Sequence, residues 1–198
     1  MSAHAEAHHH GPPEAHKSSR VDAATLGMLL FIASEIMLFG SFFTAYFFIR
    51  VNGNAEWPLE PFELPKFVAG VNTAILVTSS FTIHWALQSI KRGSRAGLQA
   101  GLVLTLALGL TFLLTQVREY SRVGFSPNDG AFGTIFYGLT GLHGAHVFVG
   151  LTLLTFATVR AFRGHFSAAH HHGVEVPGIY WHFVDVMWIV VYATIYLL

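Results

Sequence analysis

Five long apolar stretches, separated by short polar segments, dominate this sequence and restrict what it can fold into. They run from about residue 25 to 50, 67 to 90, 96 to 117, 134 to 160 and 179 to 198. A helix needs about 20 apolar residues to cross the hydrocarbon core of a bilayer, so each stretch is long enough to span. The expectation is an all-α polytopic membrane domain over residues 25–198, preceded by a polar, His-rich segment at 1–24. The composition agrees: 53% of the 198 residues are hydrophobic and 11% are charged, against about a quarter charged in an ordinary soluble domain. With no cysteine, disulfides, thiolate-bound copper, iron–sulfur clusters and cysteine nucleophiles are excluded. A net charge of zero gives no support for nucleic-acid binding.

The segments between spans set the topology. Pro58, Pro61 and Pro65 break the chain after the first stretch. The second and third stretches are separated only by the basic cluster Lys91, Arg92 and Arg95, so they are expected to form an antiparallel hairpin. Lys17, Arg20, Lys91, Arg92, Arg95, Arg160 and Arg163 fall in alternate loops, whereas Glu56, Glu60 and Glu63 occupy the first intervening one; Arg118 and Arg122 run against the pattern. The positive-inside rule then puts the amino terminus in the cytoplasm and the carboxyl terminus outside. The amino-terminal segment lacks the apolar core of a cleavable signal peptide, and is expected to stay inside. Trp57, Tyr120, Trp181 and Trp188 lie near span ends or a turn or two inside, a placement that suggests interfacial anchoring for most of them.

A few ionisable residues sit within the spans. Glu35 falls near the middle of the first, where a charge is expensive and needs a partner, a lipid headgroup or water. His143 and His146 share one face of the fourth span, among Gly138, Gly141, Gly144 and Gly150, which allow close approach of helices or lipid tails. His182 and Asp185 repeat the three-residue spacing in the fifth, so the carboxylate can accept from the imidazole one turn earlier. These groups include the ingredients of a four-helix carboxylate metal site, but the spans hold one mid-span Glu, and it does not stand three residues before a His. Packing, hydrogen-bonding or lipid-headgroup roles are therefore favoured over metal or haem ligation. Arg160 and Arg163 stand where anionic headgroups lie. His165, His170, His171 and His172, with the amino-terminal histidines, either collect protons at the inner surface or form a solvated loop and tail.

The runs LFIASEIMLFGSFF, NTAILVTSSFTIHWA, LGLTFLLTQVREY, DGAFGTIFYGLTGLHGAHVFVG and YWHFVDVMWIVVYATIYL closely resemble subunit III of cytochrome c oxidase across residues 25–198. Mitochondrial members of that family have two more helices at the amino terminus, so the chain resembles the shorter, five-helix bacterial form. The resemblance implies two bundles, the first two helices in one and the last three in the other, with a lipid-filled cleft between them and Glu35 and His146 near it. It also implies that the chain binds no haem or copper, those cofactors belonging to partner subunits, and that it holds phospholipid.

The role implied is that of a non-catalytic subunit of an aa3-type haem-copper oxidase in a bacterial cytoplasmic membrane. Its main contact would be subunit I, with subunit II and other subunits of the oxidase or of a supercomplex as further partners. It would slow turnover-linked inactivation and help maintain proton uptake. The same fold in a quinol oxidase, or as a helper of nitric oxide reductase, is the nearest alternative. An autonomous membrane metal enzyme or channel is a more distant one.

Overall fold

The computed structural model describes residues 23–52 and 64–198; the His-rich segment and Trp57 lie outside them. Five helices carry the fold: α1 (Ala23–Asn52), α2 (Lys66–Lys91), α3 (Arg95–Tyr120), α4 (Gly130–Phe162) and α5 (His172–Tyr192), the last running into one wider π turn at Ala193–Leu197. All five are long and apolar enough to cross a membrane. No strand occurs among the described residues beyond an isolated bridge between Ser167 and His170.

The fifth helix begins at His172 rather than near Ile179. The segment HHGVEVPG reads as a loop because of its glycines and proline, yet Pro177 lies early in the helix, where it removes a single backbone bond, to the Gly173 carbonyl. Other boundaries follow ordinary rules. Gly93, at φ +83°, turns the chain between α2 and α3, and Ser94 caps α3 by accepting from the Gly97 amide at 3.2 Å.

The α2–α3 hairpin is a tight one. A Cβ on Gly101 would stand 2.6 Å from the Ala86 Cβ, and one on Gly97 2.6 Å from the Ser89 hydroxyl. Small residues thus bring the backbones close enough for the Thr82 and Thr105 hydroxyls to meet at 2.7 Å. Helix α5 packs against α2, and α4 packs against both α3 and α5. Helix α1 leans on α4 and α5: Phe39 lies 5.0 Å from the His146 ring and 6.4 Å from Phe183, and Phe42 occupies the notch over Gly138.

This pairing corrects the expected division into helices 1–2 and 3–5. Among the described residues no substantial interface joins α1 to α2, and the α2–α3 contact closes the place where a cleft between those groups would run. The physical reason is the distribution of small residues. Those of α2 face those of α3, whereas a methyl added to Gly27 or Gly40 of α1 would meet nothing within 4 Å.

The aromatic anchors also differ from expectation. Trp181 and Trp188 are fully buried, and Tyr120 packs inward on Tyr137 at 5.1 Å. The Trp181 indole is clamped between two glycines: a Cβ on Gly109 would lie 2.6 Å from its ring and one on Gly150 2.8 Å. Its N–H donates to the Ser79 hydroxyl at 2.8 Å, and that of Trp188 to the Thr73 hydroxyl at 2.9 Å. The amphipathic rings therefore meet polar partners on α2 instead of at the membrane surface, which satisfies their donors within the core.

Candidate functional sites

Glu35 and His146 meet between α1 and α4. The His146 Nε2 lies 2.8 Å from the Glu35 carboxyl, and its Nδ1 lies 2.8 Å from the Leu142 carbonyl. A carbonyl oxygen can only accept, so Nδ1 carries a hydrogen and donates. The contact with Glu35 then needs one more proton, held either on Nε2 or on the carboxyl. Either arrangement leaves the pair with no net charge, which suits side chains that are 15% and 10% exposed in an apolar layer. Phe39 and Phe183 flank the imidazole.

His143 faces elsewhere although it is only one turn away. It is fully buried, with its ring 4.8 Å from that of Trp188 and 5.7 Å, edge on, from Phe112. Neither ring nitrogen has a hydrogen-bond partner among the described residues. The two histidines of α4 thus serve different interfaces, His146 the one with α1 and His143 the one with α3 and α5.

The expected bond from His182 to Asp185 is replaced by a bridge. Ser80 of α2 stands between them, its hydroxyl 3.0 Å from the His182 Nδ1 and also donating to the Asp185 Oδ2. Asp185 is buried, and its Oδ1 has no hydrogen-bond partner among the described residues. Sequence reasoning missed Ser80, because nothing in a helix's own spacing reveals which residue of another helix will face it. The five interior residues therefore form three separate groups. No cluster of three or more His, Asp or Glu side chains with metal-holding geometry occurs among the described residues.

One end of the bundle collects the basic and His-rich loops. Arg160, at the end of α4, places its guanidinium 5.3 Å from the Phe166 ring centroid. It lines a cavity of about 330 Å³ with Ala24, Phe156, His172, Gly173 and Pro177, so the starts of α1 and α5 meet the end of α4 there. Arg163 and His165 are exposed, with the His165 Nδ1 donating to the Arg160 carbonyl at 3.3 Å. His170 is exposed as well, its backbone paired with Ser167.

His171 and His172 converge on Glu175, whose Oε2 lies 3.9 Å and 3.4 Å from their rings, while Lys91 holds its Oε1 at 3.2 Å. The i,i+4 and i,i+3 spacing of the two histidines from Glu175 is the sequence signal that would have identified this cluster. At the opposite end, Tyr46 donates to the Thr194 carbonyl at 2.6 Å and accepts from Arg50 at 2.8 Å, and Arg50 also reaches the Leu198 carbonyl. These bonds satisfy carbonyls of the last turn that lack helical partners.

Comparison with known proteins covers nearly the entire chain. Residues 4–198 match the family described as cytochrome c oxidase subunit III. The protein named cytochrome c oxidase subunit 3 of Thermostichus vulcanus is 40% identical over 184 residues, covering 92% of this chain and 91% of that one. Those of Oryctolagus cuniculus and Lumbricus terrestris are 40% and 42% identical, each over 86% of this chain and covering 67% and 68% of their own lengths.

Proposed function

The chain belongs to the cytochrome c oxidase subunit III family, and from that premise we propose that it is the lipid-holding, cofactor-free subunit of an aa3-type oxidase, stabilising subunit I and supporting proton uptake. Haem and copper reside in partner subunits in this reading, and subunit I is the main contact, with subunit II and any supercomplex members beyond it. The membrane is the bacterial cytoplasmic one. The basic ends of α2, α3 and α4 lie together, as the Lys91–Glu175 pair and the 3.3 Å bond from Gln99 to the Ala161 carbonyl indicate. The positive-inside rule then orients that end, and the start of α1 with it, to the cytoplasm.

The observation that carries the lipid reading is the cavity beneath Arg160. Its walls are apolar side chains of α1, α4 and α5, and its polar rim is Arg160 with His172. This is the pattern a phospholipid needs, a cation for the phosphate and a hydrocarbon groove for a tail. Arg163 stands one turn further as a second cation. The Glu35–His146 pair fixes α1 against α4 along the same seam, so it serves the lipid site by holding one wall. The proton-uptake reading rests on the gathering of His165, His170, His171 and His172 at the rim assigned to the cytoplasm.

The test compares oxidase purified with and without this chain, and with Arg160→Gln. Loss of the chain should leave initial turnover intact but shorten its duration. Arg160→Gln should retain less phospholipid, as read by mass spectrometry of the extracted complex. Equal durability of stripped and intact oxidase would refute the stabilising role, and unchanged lipid content in Arg160→Gln would refute the headgroup site.

A further inference from the structure

A row of polar side chains descends one side of the molecule between α2 and α5, apart from the Arg160 cavity. On α2 it comprises Lys91, Gln88, His84 and Ser80; on α5, Glu175, His182 and Asp185. Lys91 and Glu175 pair at 3.2 Å at the cytoplasmic end, with His171 and His172 against the same carboxylate. His84 and Gln88 meet at 3.1 Å. Below the ion pair lies a cavity of about 180 Å³ lined by His84, Leu87, Glu175, Ile179 and His182. From His182 the Ser80 hydroxyl continues to Asp185.

At about 1.5 Å of rise per residue, Ser80 lies roughly 16 Å below Lys91 and Asp185 roughly 15 Å below Glu175. The two ladders thus converge near the middle of a hydrocarbon layer about 30 Å thick. Lipid tails cannot satisfy these groups. His84 is exposed on the flank of α2, and the buried Asp185 Oδ1 lacks a partner among the described residues. Polar groups at this depth are found where they line water or pair with protein. The cavity is roomy enough for several waters, and His84, Glu175 and His182 supply polar partners for them among otherwise apolar walls that include Ile83 and Val174.

We infer that the groove between α2 and α5 is a water-filled vestibule, entered beside the Lys91–Glu175 pair and ending on the Ser80–His182–Asp185 cluster. The ligand is water, and the cluster is a terminal hydrogen-bonding station for it inside the membrane. This inference is independent of the lipid reading, which concerns the opposite side of α5.

The chain has no cysteine, so single-cysteine variants report cleanly on water access. Leu87→Cys, His84→Cys and Ile179→Cys, each in the assembled oxidase in inside-out vesicles, would be treated with a charged, membrane-impermeant methanethiosulfonate. Modification of this subunit is read by mass spectrometry. The reference is Phe148→Cys, on the outer flank of α4 and 63% exposed. Because the thiolate reacts and forms in water, the groove positions should label at least about tenfold faster than the reference. An added Ile179→Trp, filling the cavity, should slow labelling of His84→Cys to the reference rate. The inference fails if Leu87→Cys and His84→Cys label no faster than Phe148→Cys. It fails equally if uncharged N-ethylmaleimide reaches them and the charged reagent does not, since lipid or a neighbouring subunit then fills the groove. Should His84→Cys not assemble, Leu87→Cys and Ile179→Cys decide the matter alone.

Discussion

Replacing Glu35 by alanine removes the partner of a nearly buried imidazole without altering any backbone contact. The His146 Nδ1 is committed to the Leu142 carbonyl, and Phe39 and Phe183 close around the ring, so Nε2 finds no substitute in the protein. Leaving such a group unsatisfied costs about 1–3 kcal/mol. At about 1.4 kcal/mol per factor of ten, a middle value of 2 kcal/mol is roughly a thirtyfold shift toward detachment of α1. Glu35→Gln should lose far less, because its amide can donate to Nε2 at the same place. The assay is thermal dissociation of this subunit from the detergent-solubilised oxidase, run on Glu35→Ala, Glu35→Gln, His146→Ala and the double alanine variant. A coupling energy between positions 35 and 146 of about 1.5–3 kcal/mol is expected, the range for hydrogen bonds to charged groups. Additive single variants, or glutamine as damaging as alanine, would refute the argument that a shared proton joins the two helices.

Gly150→Ala and Gly109→Ala each push a methyl into the Trp181 ring; each should cost about 1–3 kcal/mol by overpacking, seen as a lower midpoint in the same dissociation assay, whereas Gly40→Ala, with open space around it, should not lower it. Tyr46→Phe deprives the Thr194 carbonyl of its 2.6 Å donor and should destabilise by about 1 kcal/mol, with faster hydrogen exchange confined to the carboxyl-terminal turn. Ser80→Ala breaks the bridge between His182 and Asp185 and should cost about 1–3 kcal/mol in thermal stability by leaving Asp185 Oδ2 unsatisfied; Ser80→Thr, which keeps the hydroxyl, should recover much of it.

The helices were legible because lipid imposes a simple requirement: a continuous apolar run long enough to span, bounded by charge. Where the chain left that regime, legibility ended. The first turns of α5 carry histidines, a glycine and a proline, a composition that reads as a loop, and the helical spacing of His171 and His172 from Glu175 is the weaker signal it masks. Tryptophans 181 and 188 look like surface anchors in one dimension, since depth alone does not say whether a ring faces outward. Their burial depends on Gly109, Gly150, Ser79 and Thr73, which belong to three other helices.

The candidate residues show the same limit. Glu35 and His146 could be nominated singly because each is costly in lipid, but their pairing joins positions 111 residues apart, and no periodicity within a helix encodes it. His143 and His146 share a face by spacing, yet neighbouring aromatic and carboxylate groups assign them to different interfaces. Local pattern identifies which residues must find a partner in the membrane, and the packing of small residues between helices decides which partner they find. That is why the glycine and alanine seam of α2 and α3, without a reactive group of its own, bears on the polar chemistry. By drawing α2 against α3 instead of α1, it leaves α2 free to present Ser80 to His182 and Asp185, and leaves α1 to present Glu35 to His146.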